Sequence, residues 1–432
     1  IAEGLLAPYE EGKPVPPDLE RMALARLRQL SAHEIGHTLG LAHSYSSSTE
    51  NLASVMDYPH PAVELKHGKV VLQKPYDDRI GEWDKAAIAY GYQDFPNGTD
   101  EQTALDGIIR TAFKNGLTFL SDQDARPVGG AHPFAHLWDN GSNPADELNR
   151  IMQVRKVVLE SFGENNIQAG RPWATLEEAL VPMYFLHRYQ TEACVKLIGG
   201  LNYRYALKGD GQPVTEMISP ELQVKALDAV LQTIDASSLA LNEALLTSIP
   251  PHPMGYARSR ETFKSRTAPA FDRLGAAEAA ADLTFGLLLD PSRAARLMEY
   301  HARDVSFPAL GLVIDRIFDA TFRKKPLAGY QGLIQITANH VLLTRLLELG
   351  AHPEASPGVR SVTQYKLNQL ALFLGNPAYN KLSEEWQAHF FQSLSRIRKF
   401  NEDPQAFKPE KALSPPPGQP IGDTFLDCAE FH

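Results

Sequence analysis

The residues of this chain best suited to chemistry are His33, Glu34, His37, Gly40 and His43, followed by Ser54-Val55-Met56-Asp57-Tyr58. His33 and His37 lie one helical turn apart, so both imidazoles leave the same helix face and can hold one metal ion. Gly40 stands where a helix carrying them would end, because glycine enters the left-handed backbone region without a Cβ penalty. The chain turns there, and His43 returns as third ligand. Three neutral imidazoles leave a fourth tetrahedral position for water, the arrangement of a catalytic zinc rather than a closed structural one. Glu34, beside His33, is placed to take a proton from that water. A bare His-Glu-x-x-His is a weak signal. The further demand for Gly40 and His43 is met by chance with odds of roughly 1 in 500 at this composition, so a helix with merely solvated or packed histidines is the poorer reading.

The flanking sequence predicts the elements that must position these side chains. Residues 1–17 hold Gly4, Pro8, Gly12, Pro14, Pro16 and Pro17 and read as an extended lead-in. Asp18 suits an N-cap, and strong helix formers from Leu19 to Leu39 predict the metal-bearing helix, with a break near Ser31. A polar loop from Ser44 to Asn51 leads to Met56. Glu64-Leu65-Lys66 and Lys69-Val70-Val71-Leu72 flank His67-Gly68 as a short hairpin, with His67 a solvated turn residue. A helix from Gly81 to Tyr90 closes the region.

These motifs together resemble the metzincin clan of zinc endopeptidases: the extended zinc motif, a methionine 13 residues after the third histidine, and the closing Asp84…Ile88…Tyr90-Gly91 helix. The likeness by motif covers residues 31–92. It implies that Met56 lies in a tight turn beneath the zinc. Ser44 after His43 is similar to matrixins, whereas Asp57 between Met56 and Tyr58 is similar to astacins and serralysins, in which such a tyrosine approaches the zinc and steadies the oxyanion. The chain also resembles large bacterial metzincin-like proteins with helical C-terminal extensions. The resemblance implies Zn2+ as cofactor, a peptide or protein substrate, and a secreted or periplasmic setting. Metzincin catalytic domains carry a twisted sheet before the metal helix, and only 32 residues precede His33. The expectation is therefore the C-terminal half of such a domain, which on its own binds zinc weakly or not at all and has no peptidase activity.

The expected fold is mainly α, with residues 1–98 forming the metal helix, Met-turn and the end of the catalytic domain. Residues 99–432 form a helical C-terminal domain with a small hairpin near Asn202–Leu207 and a division into two sub-bundles near 200–218. Apolar periodicity predicts a helix over Asp146–Phe162. Thr175 and Glu178 read as a capping box before a helix that reaches Leu197 and bends at Pro182. Further helices are expected near 219–233, 236–247, 270–289, 291–304, 308–322, 331–349, 359–374 and 383–399. Asp122 and Asp124 beside Arg126, with His132 and His136, invite a second metal or substrate site. Capping, turns and surface pairing are their ordinary explanation, and a role lining the cleft stays open.

The 432 residues are 43% apolar and 22% charged, as in a soluble globular protein. A formal net charge of −10 argues against a phosphate-binding surface, hence against nucleic acid as partner. No apolar run is long enough to span a bilayer. Cys194 and Cys428 are too few for a disulfide framework and read as unrelated thiols, with pairing open in an oxidising compartment. The function these readings favour is zinc-assisted hydrolysis of a peptide bond by His33, His37, His43 and Glu34, with Tyr58 as helper. Two alternatives remain: a helical binding or scaffold module with a vestigial metal site, and a zinc hydrolase acting on something other than peptide.

Overall fold

The metal-bearing helix begins at proline. In the computed structural model, which describes residues 1–417 apart from Asn51, Asp78 and Lys411, a short helix α1 (Ala2–Leu6) precedes α2 (Pro17–Thr38). Pro17 occupies the first helical position, where its missing N–H costs nothing, and Asp18 and Glu20 meet the positive end of the helix dipole. The helix runs unbroken through Ser31, whose hydroxyl donates to Leu27 O within the helix (2.8 Å) instead of breaking it. Its buried stripe is Met22, Gln29, His33 and Gly36. It ends where Gly40 takes φ +80°, with Leu41 N–H donating to Gly36 O and Gly40 N–H to His37 O. That is the paired closure of a Schellman motif, and it returns the chain toward His43. The lead-in is thus partly helical rather than wholly extended, because α1 finds a core contact for Leu5.

Strands β1 (Glu64–Lys66) and β2 (Lys69–Val71) pair antiparallel across His67 and Gly68. Both turn residues have positive φ, as a two-residue type I′ hairpin requires. Helix α3 (Glu82–Tyr92) follows, then α4 (Glu101–Lys114), the four-residue α5 (Asp122–Ala125) and α6 (Pro144–Glu160). The stretch expected to form one helix from Thr175 to Leu197 is instead α7 (Leu176–Tyr184) and α8 (Arg188–Val195), parted at residues 185–187. Thr175 does not cap; its hydroxyl donates back to Pro172 O within a preceding 3-10 turn.

The second hairpin pairs β3 (Leu201–Tyr203) with β4 (Thr215–Met217). Helix α9 (Pro220–Gln232) comes next, and the expected helix over 236–247 divides into α10 (Ala236–Leu239) and α11 (Glu243–Thr247), since the Asn242 side chain caps a new start. Then follow α12 (Arg273–Leu288), α13 (Pro291–Arg303), α14 (Leu310–Ala320), α15 (Gly329–Ala351), α16 (Pro357–Leu374) and α17 (Glu384–Glu402). The fold is mainly α with two small hairpins. Alanines at 276, 277 and 279–281 are buried on α12, which lies along α15; small side chains let the two axes approach.

One large core joins Leu5, Met22, Val63, Leu72 and Tyr76 to Leu148, Leu180, Phe285 and Leu342. A second, smaller core of Tyr45, Tyr58, Leu120, Ala125, Ala135, Leu137 and Trp138 surrounds the histidines. Cys194 is buried in the large core. Cys428, with Phe425 and Leu426 of the tail, lies outside the described residues. No described helix is long and apolar enough to cross a membrane.

Candidate metal centre

His33 and His37 on α2 and His43 after its turn converge, with one ligand nitrogen from each lying within 4.8 Å of the others. Each Nδ1 is committed elsewhere. His33 Nδ1–H donates to Val55 O (2.8 Å), His37 Nδ1–H to Leu41 O (3.0 Å) and His43 Nδ1–H to Asp122 Oδ2 (2.8 Å). These partners are all acceptors, so each ring carries its proton on Nδ1 and presents an Nε2 lone pair. His33 and His37 Nε2 are 3.1 Å apart, two lone pairs facing each other with no proton to share. A tetrahedral zinc with ordinary Zn–N bonds sets its ligands about 3.3 Å apart. His43 Nε2 is buried and has no hydrogen-bond partner. A cation held by the three nitrogens resolves both features, so the donor set fits zinc.

Electrostatics favour the ligating form. Burial lowers the pKa of His33 to about 3 and lowers that of His37, which keeps both imidazoles neutral near pH 7. Glu34 projects to solvent from the helical position next to His33 and makes no hydrogen bond or ion pair with a described residue.

Met56 lies directly under α2. A Cβ added at Gly36 would stand 2.2 Å from Met56 Sδ, so glycine between the two helical histidines is what admits the methionine. Asp84 of α3, itself buried, fastens that turn: it accepts Ser54 Oγ (2.5 Å), Val55 N–H (2.8 Å) and Gly81 N–H (2.6 Å). Ser44 N–H donates to Met56 O and Trp83 N–H to Ala53 O. A Cβ at Gly81 would fall 1.8 Å from Ala53 O, so this approach also depends on glycine. The Val55 carbonyl that holds His33 therefore rests on Asp84, thirty residues downstream of Ser54.

The Tyr58 ring lies 5.2 Å from that of His33 and 4.9 Å from that of His43, centroid to centroid. It stacks on Trp138 at 5.6 Å and 13°, and Trp138 N–H donates to Tyr58 O (2.7 Å). Trp138 has φ +56°, a conformation that costs a bulky residue free energy and is held here by its packing. Asp57, between Met56 and Tyr58, is buried and accepts Tyr58 N–H (2.7 Å).

A family model described as Met-zincin matches residues 16–328, more than half of the chain. The chain belongs to the Met-zincin family. No curated protein and no solved structure matches it. Membership places the chain in a metzincin-like zinc metalloprotease family, and in this Met-zincin His33, His37 and His43 are the group among the described residues that could hold a metal ion.

The Met-zincin match runs far past residue 92, the end of the recognisable motif, and includes the segment that arches over the histidines. Leu120 O accepts Tyr45 N–H, Tyr45 O accepts His136 N–H, and Asp122 reaches His43. Arg126 pairs with Asp122 and donates to the Tyr45 hydroxyl (3.2 Å), which donates in turn to Asp122 Oδ1 (3.2 Å). Burial alone would raise the Asp122 pKa, but the hydrogen bonds from His43 and Arg126 hold it well below the usual carboxylate range. Asp122 and Arg126 thus pack against His43, and among the described residues neither belongs to a second group that could hold a metal ion. His132 bonds Tyr203 O and Phe134 N–H, Asp124 takes the hydroxyls of Tyr203 and Tyr205, and His136 faces Glu192. Tyr45 and Trp138 escape sequence reasoning altogether. The spacing of Asp122 and Arg126 on one helical turn is visible, but nothing local ties that pair to His43.

Proposed function

We propose that this Met-zincin hydrolyses peptide bonds at a zinc ion held by Nε2 of His33, His37 and His43. The observation that carries the reading is the convergence of three Nδ1-protonated imidazoles beside an exposed carboxylate on the helix that carries two of them. When bound, zinc supplies Lewis acidity to the scissile carbonyl and makes water a usable nucleophile near neutral pH. Glu34 takes the proton of the attacking water and delivers it to the leaving amine. The Tyr58 hydroxyl, carried by a ring beside His33 and His43, donates to the oxygen on which charge develops. Met56 does no chemistry; its thioether is a soft apolar floor that fixes α2 at Gly36.

Zinc stoichiometry and turnover of a peptide library test the assignment together. One equivalent of zinc and peptide cleavage are expected; zinc bound without cleavage would instead match the inactive half-domain expected from the 32 residues before His33. Glu34→Gln should retain the metal and lose turnover by about a hundredfold or more, and Tyr58→Phe should lose on the order of a hundredfold in kcat with zinc affinity unchanged. Undiminished turnover in Glu34→Gln removes Glu34 as base. Cleavage of esters or sugars but not peptides would move the site to another hydrolase class.

A further inference from the structure

We propose that Asp122 is a positioning residue for the metal: 79 residues beyond His43, it fixes the ring and the basicity of the third ligand, and the clasp of Arg126 and Tyr45 holds it there. The inference rests on the zinc reading above and adds a residue to it. The three histidines are not held alike. His33 and His37 sit on a regular helix and donate to neutral backbone carbonyls, at Val55 and Leu41. His43 lies outside any helix or strand, so its backbone restrains it least, and it alone donates to a carboxylate.

An anionic acceptor on Nδ1–H does two things that a carbonyl does less well. It fixes the tautomer that leaves Nε2 bare, and it raises the electron density that Nε2 offers to a cation. The orphaned, buried Nε2 of His43 is the atom through which this would act. Asp122 is in turn prevented from turning away. One of its oxygens is claimed by Arg126 and by the Tyr45 hydroxyl, while the other faces His43. Tyr45 is fully buried, and its backbone is tied to Leu120 on one side and His136 on the other. The guanidinium of Arg126 also lies 5.8 Å from the Tyr58 ring centre, so the clasp spans the two side chains that flank the metal position. A simple helix-start aspartate paired with the arginine four residues on would need neither His43 nor Tyr45.

The test is zinc affinity of the full chain by competition with a chromogenic chelator, alongside the visible spectrum of the cobalt-substituted protein. Asp122→Ala is expected to weaken zinc binding 10- to 100-fold. Asp122→Asn, which keeps an acceptor but loses the charge, should fall between it and wild type, and both should shift the cobalt absorption while the far-ultraviolet circular dichroism stays native. Wild-type affinity with an unaltered cobalt spectrum in Asp122→Ala overturns the proposal. If that variant does not fold, Asp122→Asn decides: weaker binding supports the proposal and wild-type binding overturns it. Wild type and His43→Ala separate this inference from the one beneath it. A wild-type chain that binds no zinc removes the metal centre and this residue's role with it. Zinc binding lost in His43→Ala but intact in Asp122→Ala removes only the role of Asp122.

Discussion

Two glycines decide how closely the Met-turn can approach its neighbours, and they should respond differently to the same substitution. At Gly36 an added methyl meets Met56 Sδ, part of a flexible side chain that can swing aside. Gly36→Ala should therefore fold and lose about 1–3 kcal/mol, the usual cost of overpacking a filled site. At Gly81 the methyl meets Ala53 O and C, which are backbone, and Ala53 O already accepts Trp83 N–H. Gly81→Ala must displace the loop that carries Val55, so it should cost more than Gly36→Ala and loosen the support of His33. Thermal denaturation of the two variants ranks them, and a Gly81→Ala protein as stable as wild type would contradict the contact. Both positions are glycine in the sequence, yet neither announces itself there. Gly40 does, because a glycine after a helical run has a local meaning. The reason for Gly36 lies twenty residues away, at Met56.

At the scale of elements, α15 and α17 meet through a buried histidine whose protonation opposes folding. His389 on α17 accepts from Asn339 Nδ2 (3.2 Å) and donates to His340 Nε2 (3.3 Å), both on α15, while its ring stacks on Phe322. Burial first, and the neighbouring His340 second, together lower its pKa to about 3. The unfolded chain, with histidine near 6.5, therefore binds the extra proton first as pH falls. Stability is retained above about pH 6.5 and declines between there and pH 3, by up to about 1.4 kcal/mol per pH unit for this one group. His389→Gln should flatten the dependence of the denaturation midpoint on pH between about 6 and 4 by roughly one proton; an unchanged slope would show that His389 is not the group responsible. Elements are the scale most legible in sequence. The His67-Gly68 hairpin and the start of the helix expected near 291–304 are readable because turn and cap chemistry is local. The break between α7 and α8 was not, because its cause is packing: Tyr184 and Phe185 turn into the core, and the Tyr184 hydroxyl seeks Leu239 O. The arch from Leu120 to Trp138 was equally hidden, since buried Lys196 holds it by donating to Ala125 O and Ala135 O.

For the molecule as a whole, the question is whether residues 1–98 can make the metal centre by themselves. The three histidines, Glu34, Met56 and Tyr58 all lie within that stretch, and Pro96-Asn97-Gly98 forms an exposed connection after it. The contacts cross the connection in several places. Asp122 holds His43, Leu120 O holds Tyr45, Trp138 holds Tyr58 by stacking and by its N–H, and Arg150 donates to Val63 O beneath the first hairpin. Leu5, Met22, Val63, Leu72 and Tyr76 also share one core with the helices that follow. Cut at residue 98, these side chains would return to water, and a fully buried Leu, Val or Met forfeits about 1.5–3 kcal/mol. That exceeds what an isolated segment of this size can spare. The expected outcome is that a 1–98 piece shows little cooperative structure and binds zinc far more weakly than the full chain, whereas excess zinc raises the single melting transition of the full chain. At a hundredfold excess over Kd the gain is about 2.7 kcal/mol, because metal binding and the packing of the helical part are one equilibrium. A 1–98 piece that melts cooperatively and binds zinc as tightly as the full chain would show instead that the helices after residue 98 are an appendage to a self-sufficient site.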